Sequence, residues 1–90
     1  MKISVEVSMY PLHADYENHV LDFLRFLNHK PEIKVITNGI STQIFGDFEE
    51  VMNTLKDGIK EVFNGEKKAV FNFKVLQGQL DNFNEELLAS

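Results

Sequence analysis

Uncharged hydrogen-bonding side chains recur on or beside segments that alternate like strands, where apolar residues are usual. They are Ser8, Tyr10, Thr37, Asn38, Thr42, Gln43 and Asn72. A buried hydroxyl or amide without a partner costs about 1–3 kcal/mol, so each must be satisfied by its own backbone or by a ligand. Taken singly, each has a structural explanation, because Asn38 suits a turn and the methyl group of Thr42 packs well in a strand. Taken together, they predict a polar pocket.

Neighbouring residues add a charge and aromatic faces to this pocket. Glu6 supplies a carboxylate for a cation, and Tyr10 or Phe45 supplies the face of a ring. The combination suits a small, flat, nitrogen-rich ligand, including one with a positive charge. The predicted ligand-binding residues are Glu6, Ser8, Tyr10, Asn38, Thr42 and Gln43.

The residue types and their spacing give little support for catalysis or for metal binding. The three histidines, His13, His19 and His29, stand six and ten residues apart, which matches no metal-binding pair on one helix face. The chain has no cysteine, no serine in a G-x-S-x-G context and no glycine-rich phosphate loop. We therefore expect a protein that is not an enzyme and that needs no metal or cofactor.

Two periodicities place the polar residues on secondary structure. Apolar residues alternate from Ile3 to Met9, as in a half-buried strand, and recur at three-to-four spacing from Tyr16 to Leu27, as in an amphipathic helix. Asn38-Gly39 favours a tight turn between two strands, because both residues tolerate positive φ. The predicted elements are a strand ending at Pro11, a helix over 15–28, strands at 32–37 and 41–45, a helix from Phe48 and a strand at 69–76.

The order of elements is β-α-β-β-α-β, and right-handed crossovers put both helices on one face of the sheet. The predicted fold is an α+β ferredoxin-like sandwich, with a four-stranded antiparallel sheet and two helices on one face. Asp15 is placed to cap the first helix, and Asp47 with Glu50 resembles a capping box for the second. The domain takes residues 1–77, and residues 78–90 form an acidic tail that has room for a short helix.

One face of such a sheet is left without helices. Glu6, Ser8 and Tyr10 are predicted on this face of the first strand, and Gln43 and Phe45 on the same face of the third. An uncovered band of aromatic residues is typical of a self-association surface. We expect a homodimer or homotetramer that forms through sheet faces or edges.

Composition and charge exclude several classes of partner. The 90-residue chain carries 9 Lys and Arg against 14 Asp and Glu, a net charge of −5, which repels phosphate backbones and anionic lipid. No run of apolar residues exceeds three, far short of the roughly 20 that span a membrane. We expect a cytoplasmic protein with a small-molecule ligand and no nucleic-acid or membrane partner.

Two well-known families of this topology do not fit the residues. Acylphosphatases hold phosphate with an arginine in the loop after the first strand, whereas the one arginine here, Arg25, falls inside the first predicted helix. RNA-recognition domains need a basic surface and aromatics in an R/K-G-F-x-F context on the third strand. The segment from Ser41 to Phe45 has neither feature.

Two short segments resemble a known family. Residues 5–12, Val-Glu-Val-Ser-Met-Tyr-Pro-Leu, resemble the E-I-S-x-x-P-L opening of the small thiamine-binding proteins, which include hydroxymethylpyrimidine/thiamine-binding domains. Residues 38–47, Asn-Gly-Ile-Ser-Thr-Gln-Ile-Phe-Gly-Asp, are similar to that family's N-x-M-G/S-T-x-I-x-G-E/D segment. The similarity extends over about residues 3–76, nearly the whole predicted domain.

The resemblance implies a ferredoxin-like subunit that forms dimers or tetramers and binds the aminopyrimidine of thiamine, or of its precursor, without turning it over. The matching positions are Glu6, Ser8, Asn38 and Thr42. An acidic protein with Glu6 and Tyr10 nearby would favour the positive thiazolium ring of thiamine. The chain departs from the family at 13–16, His-Ala-Asp-Tyr, where glycine and a small polar residue are usual.

Other functions stay open on the residues alone. An amino-acid-binding regulatory module of the ACT type has the same topology, although it usually carries a glycine where this chain has Pro11-Leu12. A structural oligomerisation domain is favoured if the polar side chains pair among themselves. A ferredoxin-like monooxygenase would need one of the histidines in a pocket.

Overall fold

The structure, a computed structural model, describes residues 1–12, 16–65 and 68–81. Its elements are β1 (Lys2–Pro11), α1 (Tyr16–Asn28), β2 (Lys34–Thr37), β3 (Thr42–Asp47), α2 (Phe48–Asn64) and β4 (Ala69–Gln77). The predicted order is confirmed, although β2 begins later than expected and β3 extends beyond residue 45. The predicted cap at Asp15 and any helix in the tail after Asp81 lie outside the described residues.

The strands form one antiparallel sheet in the order β2-β3-β1-β4. Side chains alternate along a strand, so Ile3, Val5 and Val7 of β1 share one face, where they are buried. Both helices pack on this face, and the predicted α+β ferredoxin-like arrangement is confirmed.

The core lies between this face of the sheet and the apolar stripes of the two helices. Its buried members are Ile3, Val5, Val7, Phe23, Leu27, Ile33, Ile44, Val51, Leu55 and Val62. Full burial of one such side chain contributes about 1.5–3 kcal/mol, so this set holds both helices against the sheet. Neither described helix is long and apolar enough to cross a membrane.

Gly58 allows the two helices to approach each other closely. A Cβ atom at this position would lie 3.0 Å from Cε1 of Phe23 and 3.2 Å from Cδ1 of Phe26, both on α1. The Phe23 ring is only 3% exposed and lies 5.0 Å from the ring of Phe71, so it has no room to move aside. Glycine costs α2 about 1 kcal/mol of helix propensity, and the close contact between the helices offsets this cost.

We therefore expect Gly58→Val to lower the free energy of unfolding by about 1–3 kcal/mol, because its methyl groups would overpack the contact between the helices. Thermal denaturation followed by circular dichroism measures the change. Asn53→Val is the matched control, since it places the same side chain on an exposed position of α2. Equal melting temperatures for the two variants would contradict the close packing at Gly58.

The start of α2 differs from the prediction. Asp47 occupies the N-cap position but makes no capping hydrogen bond with its side chain, so the predicted capping box is not formed. The Phe48 amide donates instead to the carbonyl of Met1 at 2.8 Å, and the Asp47 carboxylate lies 3.4 Å from the Lys2 ammonium. The beginning of β1 thus takes over the role of the cap.

After β4 the chain crosses the face of the sheet that the helices leave uncovered. Gly78 has a φ of 94°, a left-handed conformation that favours glycine. The Ser4 hydroxyl donates to the carbonyl of Gly78 at 2.7 Å and accepts a hydrogen bond from the amide of Leu80 at 2.9 Å. One buried hydroxyl of β1 therefore holds the crossing segment in place.

The crossing segment, residues 78–81, is called the strap below. It ends with Asp81, whose carboxylate accepts a 2.7 Å hydrogen bond from the Lys34 ammonium on β2. This hydrogen bond lowers the pKa of Asp81 from its ordinary value. The strap covers only one end of the uncovered face, where Phe45 is buried although it points away from the helices.

Candidate ligand-binding cleft

A cleft of about 320 Å³ opens between the β2–β3 hairpin, the far end of β1 and helix α1. It is called the hairpin cleft below. Four of the six predicted ligand-binding residues line it, namely Ser8, Tyr10, Asn38 and Thr42. Alternation along β1 directs the side chains of Ser8 and Tyr10 toward the opposite face of the sheet.

Asn38 shapes the hairpin that forms one wall of the cleft. Its side-chain oxygen accepts hydrogen bonds from the amides of Ile40 at 2.9 Å and Ser41 at 3.1 Å. Its own amide donates to the carbonyl of Ser41 at 3.1 Å. The turn thus occupies the side-chain oxygen of Asn38 and leaves the NH₂ group as the part that can donate to a ligand.

Thr37 and Thr42 place two hydroxyls together at the last pair of the hairpin ladder. Their Oγ1 atoms lie 3.2 Å apart, and Thr42 is only 7% exposed. Two hydroxyls carry two protons, and the bond between them uses one. The second O–H is therefore available to a ligand, and Thr37 joins the predicted residues as a member of the site.

β1 extends beyond its neighbour β3 at the hairpin cleft. The ladder between the two strands ends at the pair Val7 and Thr42, whereas β1 continues along β4 as far as Pro11. The last part of β1 therefore has a paired side toward β4 and an open side toward the cleft.

The direction of the backbone groups along β1 follows from two hydrogen bonds. The Leu12 amide donates to the carbonyl of Lys68, so the backbone N–H and C=O groups of even-numbered β1 residues point toward β4. The carbonyl of Met1 accepts from the Phe48 amide, so odd-numbered residues face β3. The N–H and C=O of Met9 consequently point toward the cleft, beyond the last pair of the ladder. One residue thus presents a donor and an acceptor side by side.

Apolar side chains close the cleft on the helix side. Val20, Phe23 and Leu24 of α1 contribute them. At the rim, Ile40 is 92% exposed, and the ring of Tyr10 is exposed as well. A cleft that is apolar on one side and hydrogen-bonding on the other is typical of a small-molecule site.

Glu6 and Gln43, the other two predicted residues, lie on the opposite face of the sheet. They are cross-strand neighbours and line a hollow of about 190 Å³ beside Leu80 of the strap. The Glu6 carboxylate lies 3.5 Å from the ammonium of Lys74 on β4. Because the side chains of Ser8 and Tyr10 share the face of Glu6 and Gln43, only Asn38 and Thr42 of the six predicted residues remain on the helix side of the cleft.

The described histidines lie away from the cleft. His19 and His29 line a groove between α1 and α2, and the ring Nδ1 of His29 lies 2.6 Å from the carbonyl of Arg25. His13 lies outside the described residues. Within residues 1–12, 16–65 and 68–81, no three His, Cys, Asp or Glu side chains are grouped closely enough to hold a metal ion.

The backbone edge at Met9 is the part of the site that the residue types did not reveal. The sequence contained one indication of this edge, because the alternating run over 3–10 is longer than the predicted partner strand over 41–45. That difference predicts an overhang of β1. The register that places the overhang beside Thr37 and Thr42 depends on pairing that the sequence does not display.

Comparison with protein families gives a match over most of the chain. The model described as the YKOF-related family matches residues 2–78. Among solved structures, the chain is similar to protein SP2199 from Streptococcus pneumoniae, with 25% identity and a TM-score of 0.79 over 98% of this chain and 99% of that one. No protein of curated function matches the chain significantly.

Two further solved structures share the fold at lower identity. TM0486 from Thermotoga maritima, described as a candidate thiamine biosynthesis/salvage protein, has 16% identity and a TM-score of 0.82 over 98% of this chain and 99% of that one. A domain of unknown function, DUF77, from Bacillus cereus has 10% identity and a TM-score of 0.74 over 88% and 78%. At these identities the likeness concerns the fold alone.

Proposed function

The chain belongs to the YKOF-related family, and from this premise we propose that it binds thiamine or a hydroxymethylpyrimidine-type precursor in the hairpin cleft, without converting it. The description of TM0486, which has the same fold, supports this class of ligand. The observation that carries the proposal lies in the cleft itself. There the backbone donor and acceptor of Met9 stand beside the hydroxyl pair of Thr37 and Thr42.

An aminopyrimidine is complementary to these groups. It presents an amine donor beside a ring-nitrogen acceptor. The C=O of Met9 accepts from the amine while its N–H donates to the ring nitrogen, in the way that one strand pairs with the next. The available O–H of the Thr37 and Thr42 pair donates to another ring nitrogen. Each such bond contributes about 0.5–1.5 kcal/mol net, so the set selects an orientation as well as adding affinity.

The size of the cleft and the net charge of the chain suit a small ligand with a cationic extension. Its volume of about 320 Å³ lies near the lower end of the usual range for ligand pockets. The pyrimidine ring packs against Phe23 and Leu24, and the thiazolium ring of thiamine extends over the rim toward Tyr10. The net charge of −5 favours the approach of a cation to the protein as a whole.

Binding without turnover is part of the same proposal. The described residues that line the cleft offer hydroxyls, an amide and backbone groups, but no histidine, carboxylate or lysine that would transfer a proton to or from the ligand. Such a set supports binding of a ligand without turnover. A role as carrier, buffer or salvage accessory follows.

Isothermal titration calorimetry with hydroxymethylpyrimidine and with thiamine tests the proposal. We expect at least one of them to bind with a dissociation constant in the micromolar range. Free amino acids, the ligands of an ACT-type module, serve as the comparison and are expected to give no heat. Absence of heat and of any thermal shift with both pyrimidines at millimolar concentration would remove the proposed function.

A further inference from the structure

Ile40 has the highest exposure of any large apolar residue in the part of the chain that the structure describes. It is 92% exposed, against 78% for Met1 and 63% for Leu12, and it stands at the mouth of the hairpin cleft. Turns favour Gly, Asn, Asp, Ser and Pro, and the other residues of the turn over 38–41 are of these types. Because its side chain contacts almost nothing in the protein, Ile40 contributes little to the stability of the fold.

The backbone of Ile40 is fixed even though its side chain projects into solvent. The side-chain oxygen of Asn38 accepts hydrogen bonds from the amides of Ile40 at 2.9 Å and Ser41 at 3.1 Å, and the Asn38 amide donates to the Ser41 carbonyl at 3.1 Å. Three hydrogen bonds within four residues hold the turn in one conformation. Asn38 therefore presents Ile40 at a defined position beside the cleft.

Ile40 lies close to the hydroxyl pair at the end of the hairpin ladder. Thr37 and Thr42 form the last pair of this ladder, and Ile40 is two residues from Thr42 in the turn, so the Cα atoms of Ile40 and Thr42 are within about 7 Å of each other. Apolar side chains of α1 close the cleft on the helix side. A substituent on a ring that is bound at Met9 and the hydroxyl pair therefore leaves the cleft at its mouth, within reach of Ile40.

The surroundings of Ile40 favour a small ligand over a protein partner as its contact. Its neighbours in the turn are polar or carry no side chain, and a Cβ atom placed on Gly39 would have no atom within 4 Å apart from those of its chain neighbours. A single apolar side chain in open space is far smaller than a protein interface, which takes about 20–30 residues a side. It is large enough to cover one ring of a bound molecule.

We propose that Ile40 packs against the part of the ligand that lies outside the cleft, and so makes the site prefer thiamine over the bare hydroxymethylpyrimidine. The inference rests on the proposed function, and it names the residue that decides between the two ligands of that function. The thiazolium ring of thiamine spreads its charge over a flat ring that carries a methyl group, and this surface suits an aliphatic contact. Hydroxymethylpyrimidine has no second ring, so it leaves the side chain of Ile40 in water.

Ile40→Ser tests the contact in the full-length protein, by calorimetric titration with each ligand. We expect the dissociation constant for thiamine to rise about 5- to 20-fold, because serine lacks the apolar surface that covers the second ring. The dissociation constant for hydroxymethylpyrimidine is expected to change by less than about twofold. The melting temperature is expected to stay within about 3 °C of the unmodified protein, since the side chain is exposed in the unliganded state.

Two variants and one spectroscopic measurement support this comparison. Ile40→Leu keeps the size and apolar character of the side chain, so we expect it to retain the preference for thiamine to within about threefold. Leu21→Ser makes the same kind of change at an exposed residue of α1 that does not line the cleft, and we expect it to bind both ligands as the unmodified protein does. Nuclear Overhauser effects between the methyl groups of Ile40 and the thiazolium protons report the contact directly.

The outcomes separate a failure of this inference from a failure of the proposed function. Equal weakening of both ligands by Ile40→Ser, or no weakening of either, would overturn the role of Ile40 and leave the proposed function standing. The same holds if the unmodified protein binds hydroxymethylpyrimidine at least as tightly as thiamine. Absence of binding of both ligands to the unmodified protein would instead remove the proposed function, and this inference with it.

Discussion

Thr42→Val is expected to weaken the binding of the pyrimidine ligand by about 5- to 150-fold while leaving the fold intact. Valine has nearly the shape of threonine, so the packing of the buried side chain is kept and only its hydroxyl is lost. Either Thr37 or the ligand then lacks a hydrogen-bond partner, which costs about 1–3 kcal/mol. Calorimetric titration of the variant and the unmodified protein measures the ratio of dissociation constants.

Gln43→Ala is the matched control for this experiment. Gln43 is the next residue of β3 and points to the opposite face of the sheet, beside Glu6 and not beside Thr37. We expect the affinity of the Gln43→Ala variant for the pyrimidine ligand to equal that of the unmodified protein. Loss of binding in Gln43→Ala together with full binding in Thr42→Val would place the ligand on the uncovered face and contradict the assignment to the hairpin cleft.

Phe23→Ala is expected to have the largest effect on stability, a loss of about 3–5 kcal/mol in the free energy of unfolding. The Phe23 ring contacts Phe71 at 5.0 Å between centroids and lies against the helix crossing at Gly58, so its removal leaves a cavity between both helices and the sheet. For a domain of this size, such a loss lowers the melting temperature by more than about 10 °C. Denaturation in urea and thermal melting both measure it.

Leu21→Ala provides the comparison for Phe23→Ala. Leu21 is a large apolar residue on the same helix, but it is exposed, so its truncation removes little buried surface. We expect a change in unfolding free energy within about 0.5 kcal/mol. Similar losses of unfolding free energy in the two variants would mean that Phe23 does not pack between α1 and the rest of the core as the structure describes.

The fold could be predicted from the sequence because the local sequence patterns agreed with the tertiary structure. Alternation from Ile3 to Val7 marks the buried face of β1, and Asn38-Gly39 marks the hairpin in which Asn38 bonds to its own turn. The cap of α2 could not be predicted in the same way. Asp47 has the right residue type for a cap, but the carbonyl that bonds to the helix belongs to Met1, which is close only after β1 and β3 have paired.

The sequence predicted the residue types of the site, but it did not predict that these residues lie on two different surfaces. Glu6 and Thr42 are both strand residues with polar groups, yet Glu6 pairs with Gln43 and Val7 pairs with Thr42, so the two polar groups lie on opposite faces. The register decides this, and a shift by one residue would have reversed it. The contact of Ser4 with the strap has the same origin, since its partners lie more than seventy positions away in the chain.

The overhang of β1 has a consequence for the exchange of backbone amide protons with solvent deuterium. The amides of Ser8 and Tyr10 face β4, where they are paired, whereas the intervening amide of Met9 faces the cleft. In the unliganded protein, a fast-exchanging proton at Met9 therefore stands between two slow ones. A ligand that seats its ring against this strand slows that single proton, so one resolved nuclear magnetic resonance signal reports occupancy and pose together.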